Sequence, residues 1–181
     1  MRLLAISGSL RAASSNSRLI EALPRLCDPA DEVVVWRGLG DLPHFNPDLD
    51  GDALPPVAEL RRLVGACDGL IICSPEYAHG VAGSLKNALD WLVPSLEFPE
   101  TPVALLNASP QAHHAQAHIR DTLAVMQARV VEAASIPVPL PGRGLDTDGI
   151  VADPELATLL RGALANFTAA IAVMPPKPSW A

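Results

Sequence analysis

Two kinds of hydrophobic pattern alternate along the chain. Short runs with apolar interiors, at Arg2 to Ser7, Glu32 to Trp36, Gly69 to Ser74, Pro102 to Asn107 and Val130 to Ile136, read as strands. Between and after them, segments with apolar residues at three- and four-residue spacing read as helices: Ser17 to Leu26, Pro56 to Ala66, Ala82 to Leu92, Ala115 to Ala128 and Pro154 to Val173. The strand runs lack strict alternation, as burial on both faces requires. Five strand–helix units therefore predict an α/β three-layer sandwich, a parallel sheet with helices on both faces. In such open sheets, ligands sit beyond the carboxyl ends of the strands, where strand order reverses. With order 2-1-3-4-5, the loops Gly8 to Ser17, Ser74 to Gly83 and Asn107 to Ala115 meet at that point.

The first of these loops, Gly8-Ser9-Leu10-Arg11-Ala12-Ala13-Ser14-Ser15-Asn16-Ser17, joins a strand to a helix through small, hydroxylated and amide residues. Backbone N–H groups, hydroxyls and the positive end of the helix can converge there on one phosphate, and Arg11 adds a planar charged fork. The spacing is neither G-x-x-x-x-G-K-[ST] nor G-x-G-x-x-G, which excludes the nucleoside-triphosphate and Rossmann dinucleotide fingerprints. A plain helix N-cap of Ser and Asn is the competing reading. In the third-strand loop, Pro75 holds Ser74 extended, so the strand ends there and Glu76-Tyr77 leaves the sheet edge. Gly80 and Gly83 would let the backbone approach a flat ligand. Tyr77 is the chain's one tyrosine. Two Pro- and Gly-rich loops, Gly38 to Pro56 and Pro137 to Gly149, exceed ordinary connection lengths, a trait of functional loops. The tail Pro175-Pro176-Lys177-Pro178 cannot continue a helix and is expected on the surface.

Composition narrows the picture. The 181 residues are 49% hydrophobic and show no internal boundary, so a single domain over residues 1–181 is expected. A formal net charge of −7 argues against nucleic acid or an anionic membrane as partner, and it makes Arg11 more valuable as a local anion ligand. Cys27, Cys67 and Cys73 have no metal-ligand spacing, so no metal site is expected, and Cys73 reads as a small buried hydrophobe. The N-terminal apolar run is too short for a signal peptide or membrane span, which implies a cytoplasmic protein.

Taken together, Gly8-Ser9-Leu10-Arg11 with Ser14 and Asn16, Pro75-Glu76-Tyr77 with Gly80 and Gly83, and Leu85-Lys86-Asn87-Ala88-Leu89-Asp90-Trp91 resemble the signatures of the NADPH-dependent FMN reductase family. Leu42 to Leu49 fits the same family's loop after the second strand, so the resemblance spans the first ~95 residues in order and spacing. It implies a flavodoxin-like fold, FMN as cofactor and NADPH or NADH as electron donor. Electrons would pass from reduced nicotinamide through flavin N5 to a small-molecule acceptor, such as free flavin, a quinone, an azo compound or a metal oxyanion. Ser9, Arg11, Ser15, Asn16 and Ser17 would hold the FMN phosphate. Pro75, Glu76, Tyr77 and Ala78 would line the isoalloxazine, with Gly80 and Ser109 alongside. Because the cofactor carries the chemistry, no catalytic residue is implied. Lys86, Asn87 and Asp90 more naturally fix their helix than touch cofactor. Trp91 lies off the apolar stripe Val81, Leu85, Leu89, Leu92. The resemblance implies that this region helps form a homodimer (or dimer of dimers); the alternative is that Trp91 covers the edge of its own core.

Two positions depart from the family pattern. Ala78 stands where Asn is common, and the loop Ser109-Pro110-Gln111-Ala112-His113-His114-Ala115 has none of the glycines usual against the flavin pyrimidine. Either the loop runs further from the ring, or His113 or His114 replaces backbone amides as donors; the competing reading is that these histidines merely precede an exposed helix. Two rival readings stay open: a non-enzymatic FMN electron carrier, a small acidic class that the net charge of −7 does not exclude, and a flavodoxin-like module without flavin, prompted by the lost glycines.

Overall fold

A computed structural model describes residues 1–109, 111–140 and 142–177. Pro110 of the third loop, Pro141 and the tail's Pro178 lie outside them. In chain order the strands are β1 (Arg2–Ser7), β2 (Glu32–Trp36), β3 (Gly69–Cys73), β4 (Glu76–Tyr77), β5 (Gly80–Val81), β6 (Pro102–Leu106) and β7 (Arg129–Val130). The α-helices are α1 (Ser15–Leu26), α2 (Pro55–Gly65), α3 (Gly83–Leu92), α4 (His113–Val125), α5 (Thr147–Ala152) and α6 (Pro154–Val173). The main sheet is parallel throughout, in the order β2-β1-β3-β6-β7. That is the expected 2-1-3-4-5 arrangement, with a small antiparallel hairpin, β4–β5, inserted after the third strand.

Successive strand residues enter opposite cores. Leu3, Ala5, Ile71, Cys73, Ala104 and Leu106 face a layer built from α1, α5 and α6. Leu4, Ile6, Leu70, Ile72, Val103 and Leu105 face α2, α3 and α4. Both faces of the sheet are thus dry, which is why its strands read as unbroken apolar runs. By length and hydropathy α6 could cross a membrane. Its Leu156, Leu160, Leu164 and Phe167 instead pack on the sheet, and Asp153 caps its first N–H groups ahead of Pro154.

Two expectations are corrected. The predicted fifth strand, Val130 to Ile136, is only Arg129–Val130. The Ser135 hydroxyl accepts from Leu105 N–H at 3.0 Å and donates to Val131 C=O at 2.9 Å, so a side chain replaces the ladder while Glu132–Ala134 curls into a 3₁₀ turn. Parallel pairing returns as a single bridge between Asn107 and Pro137. The loop expected at Pro137 to Gly149 ends in α5, capped by Asp146 on Gly149 N–H at 2.8 Å. The loop Gly38 to Pro56 holds two 3₁₀ turns, Gly38–Asp41 and Gly51–Ala53.

The second-signature helix secures that long loop. Asn87 accepts from Phe45 N–H at 2.8 Å and donates to Pro43 C=O at 2.9 Å, and Trp91 Nε1 donates to the same carbonyl at 2.8 Å. Trp91 is 1% exposed and meets Phe45 edge-on. It is core of its own chain, not available surface. Lys86 pairs with Asp90 along the helix.

Candidate functional site

At the carboxyl end of β1, the chain turns away from the sheet at Gly8. A Cβ there would lie 2.9 Å from Ser74 Oγ and 3.2 Å from Leu85, so only glycine lets the first loop cross β3 and α3 this closely. Gly8 is held on both sides: its N–H donates to Cys73 C=O at 2.8 Å, and its C=O accepts from Ser84 Oγ at 3.1 Å. Beyond it runs a series of hydroxyls. Ser7 Oγ shares a hydrogen bond with Ser17 Oγ (2.9 Å) and accepts from Ser9 N–H; Ser9 Oγ accepts from Arg11 N–H.

Ser14 is the N-cap of α1. Its side chain accepts from Ser17 N–H and its C=O from Arg18 N–H. A helix start leaves four N–H groups without intrahelical partners. Ser14 satisfies that of Ser17, whereas those of Ser15 and Asn16 have no protein partner among the described residues. Arg11 likewise has no carboxylate partner among the described residues.

These groups open onto a cleft of about 390 Å³. Ser9, Arg11, Ser14, Ser15 and Asn16 form one end. Ser74, Pro75, Glu76 and Tyr77 line it from the end of β3, and Ala108, Ser109, Gln111 and Ala112 from the end of β6. Tyr77 is half exposed at this wall. The three loops therefore meet where the strand order predicted.

Of the residues singled out in the sequence, Ser9, Arg11, Ser15, Asn16, Pro75, Glu76, Tyr77 and Ser109 line the cleft. Ser17, Ala78 and Gly80 do not. Ser17 is spent on Ser7, while Ala78 sits in the hairpin turn beyond the wall and Gly80 in β5. Protein atoms do not crowd Gly80 or Gly83 either: a Cβ on Gly80 would have 3.5 Å to its nearest neighbour and one on Gly83 none within 4 Å. Ser14, Ser74, Ala108, Gln111 and Ala112 are lining residues that the sequence reading did not assign to the site. Ser14 had a usable signal, a serine at the N-cap; the others carry no pattern of their own.

Glu76 is not a free carboxylate. Its Oε2 accepts from Ala115 N–H at 2.9 Å and so joins the β4–β5 hairpin to the start of α4. That hydrogen bond, with His114 and His113 nearby, holds the Glu76 carboxyl below its ordinary range. His113 and His114 belong to α4 itself. The His114 ring lies between those of His79 and His113, with centroids 4.3 Å from each, and neither α4 imidazole lines the cleft. The glycine-free loop is organised instead by Asn107, whose Oδ1 accepts from Ser109 N–H at 3.0 Å and whose amide donates to Ala112 C=O at 3.4 Å. Beneath the cleft, Cys73 is fully buried, which pushes its thiol up to about 12. Among the described residues no cluster of His, Cys, Asp or Glu could hold a metal.

Residues 1–140, which contain every residue lining this cleft, match the family model described as NADPH-dependent FMN reductase. The chain belongs to that family. Membership makes it an oxidoreductase of the FMN and NAD(P)H class. Among relatives of this FMN reductase family member, a probable NADPH:quinone oxidoreductase 2 of Oryza sativa subsp. japonica is 31% identical, covering 99% of this chain and 93% of its own. An NAD(P)H-dependent FMN reductase of Pseudomonas aeruginosa is 30% identical, over 89% and 90% respectively. The solved structure of FerB, a flavoenzyme NAD(P)H:(acceptor) oxidoreductase from Paracoccus denitrificans, superposes with a TM-score of 0.77 at 28% identity, covering 94% of this chain and 97% of that one.

Proposed function

We propose that this chain binds FMN in the cleft, accepts reducing equivalents from NAD(P)H and passes them to a small diffusible acceptor of the quinone class. The observation that carries the reading is the convergence, on one cleft, of Arg11 and the start of α1, where two N–H groups and the guanidinium have no protein partner among the described residues. A twelve-residue helix directs its positive end there, and a phosphate dianion is the group that complements it.

In this reading Ser9, Arg11, Ser15 and Asn16 hold the phosphate. Pro75, Glu76, Tyr77 and Ser109 flank the ring system, with Ala108, Gln111 and Ala112 completing the wall. Bound FMN supplies the hydride and electron transfer chemistry. The protein holds the cofactor by its phosphate, fixes the loops around the ring and leaves one side open to donor and acceptor in turn. Glu76 serves by pinning the hairpin to α4, and no side chain need exchange a proton. The rice relative's name, an NADPH:quinone oxidoreductase, supports the acceptor class. We further propose that the 181 residues act as one flavodoxin-like domain, in the cytoplasm, as a homodimer or dimer of dimers. With Trp91 buried, the contact surface must lie elsewhere than its indole.

The test is a titration of purified protein with FMN followed by a quinone and NADPH or NADH. Flavin fluorescence quenching and acceptor-dependent NAD(P)H oxidation are expected. Protein that binds FMN yet never oxidises NAD(P)H would instead be an electron carrier, and absence of flavin binding would overturn the reading altogether.

A further inference from the structure

Asn16 has a donor end and an acceptor end, and only the donor end suits a phosphate. Which end faces the cleft is decided below it, at the last residue of β3. The thiol of Cys73 lies 3.1 Å from Asn16 Oδ1 in a position where water has no access. Buried there, the S–H hydrogen needs an acceptor within the protein. Asn16 Oδ1 provides it. The opposite amide orientation would direct NH₂ at the sulfur and leave the S–H buried without a partner among the described residues, an arrangement that native interiors avoid.

From this geometry we propose that Cys73 is a positioning residue for cofactor recognition: its thiol locks the Asn16 amide with Oδ1 inward, so that Nδ2 presents its hydrogens to the FMN phosphate. This rests on the phosphate reading given above and extends it to a residue that touches no ligand. A serine keeps the donor in the same place, whereas alanine and valine remove it while leaving, respectively, less and more volume. Without the donor, the amide can turn its carbonyl oxygen toward the phosphate, where two acceptors repel.

The experiment measures dissociation constants for FMN and riboflavin by fluorescence quenching in the wild type and in Cys73→Ser, Cys73→Ala and Cys73→Val. Riboflavin lacks the phosphate, so it reports packing alone. Cys73→Ala and Cys73→Val should each lower the FMN-over-riboflavin preference by roughly tenfold, the scale of one hydrogen bond to a charged group. Cys73→Ser should retain the wild-type preference. Asn16→Ala should lose the preference too, and adding Cys73→Ala to it should cost nothing more in that ratio, because the thiol acts only through the amide. A preference unchanged in both Ala and Val variants, or losses equal for the two ligands, would overturn the proposal and leave Cys73 as core. A wild type that binds riboflavin and FMN equally would overturn the phosphate site itself, and this proposal with it.

Discussion

Removing Arg11 isolates the electrostatic part of the phosphate site from its backbone part. Arg11 lines the cleft and has no carboxylate partner among the described residues, so Arg11→Ala breaks no ion pair there and exposes no buried charge. Its effect on folding should therefore be slight. A charge-assisted hydrogen bond is worth about 1.5–3 kcal/mol. Arg11 is solvent-exposed, which places it at the low end of that range, near 1.5 kcal/mol, or about a tenfold weaker FMN complex. The N–H groups of Ser15 and Asn16 remain, so binding should weaken and not vanish. Riboflavin affinity should stay constant. Because the Debye length is about 10 Å at 0.1 M salt and about 3 Å at 1 M, the gap between wild type and variant should narrow as salt is raised. Fluorescence titrations of wild type and variant with both flavins at two salt concentrations give the four affinity ratios needed. Equal losses for FMN and riboflavin, or a gap indifferent to salt, would refute Arg11 as the phosphate's charged ligand.

Other features of the site give sharper stability tests. Gly8→Ala places a Cβ within 2.9 Å of Ser74 Oγ and 3.2 Å of Leu85. Overpacking of this kind costs about 1–3 kcal/mol, readable as a lower urea midpoint, and FMN affinity should fall as the first loop shifts. The hairpin turn places Ala78 at φ 49° and His79 at φ 60°, the two left-handed positions of a type I′ turn. Asn tolerates this region better than Ala, so Ala78→Asn should stabilise the protein by about 0.5–1 kcal/mol, and a lower melting temperature would contradict it. The Glu76 carboxyl is held below its ordinary range by Ala115 N–H. A depressed folded-state value means the unfolded chain binds the extra proton first. Its stabilisation is thus complete above the ordinary carboxylate pKa and is lost as pH falls through the lowered one. Wild type should out-melt Glu76→Gln at pH 7, with the difference closing in acid; a difference independent of pH would show that charge plays no part.

How much of this was legible beforehand follows from which physical signal each feature carries. Sheet order and helix positions were readable because burial on both faces writes itself into the apolar runs, and α6 was read to the residue from Pro154 to Val173. The fifth strand was overread because its apolar run continues past the point where one serine hydroxyl takes over the ladder's hydrogen bonds. The β4–β5 hairpin escaped because its strands are two residues long and its turn is Ala-His, where Asn-Gly would have announced it. Helix α5, at six residues, is too short for a hydrophobic period to show.

The site divides along the same line. Local chemistry was visible: hydroxyls, an amide and an arginine between strand and helix, then Pro75-Glu76-Tyr77. What the sequence could not show is which polar groups are spent on each other. Glu76 reaches across 39 positions to α4, Ser17 bonds back to Ser7, and Cys73 bonds Asn16 across 57. The third loop makes the point most clearly. Its missing glycines suggested a displaced loop or histidine donors to the cofactor. Instead Asn107, just past the end of β6 and joined to Pro137 by a single parallel bridge, uses both ends of its amide to hold Ser109 and Ala112 in the cleft wall. Glycines shape such a loop by backbone freedom, and a buried asparagine can shape one by hydrogen bonds. The loss of glycine therefore does not by itself remove the binding surface, and the α4 histidines pack instead with His79 of the hairpin turn.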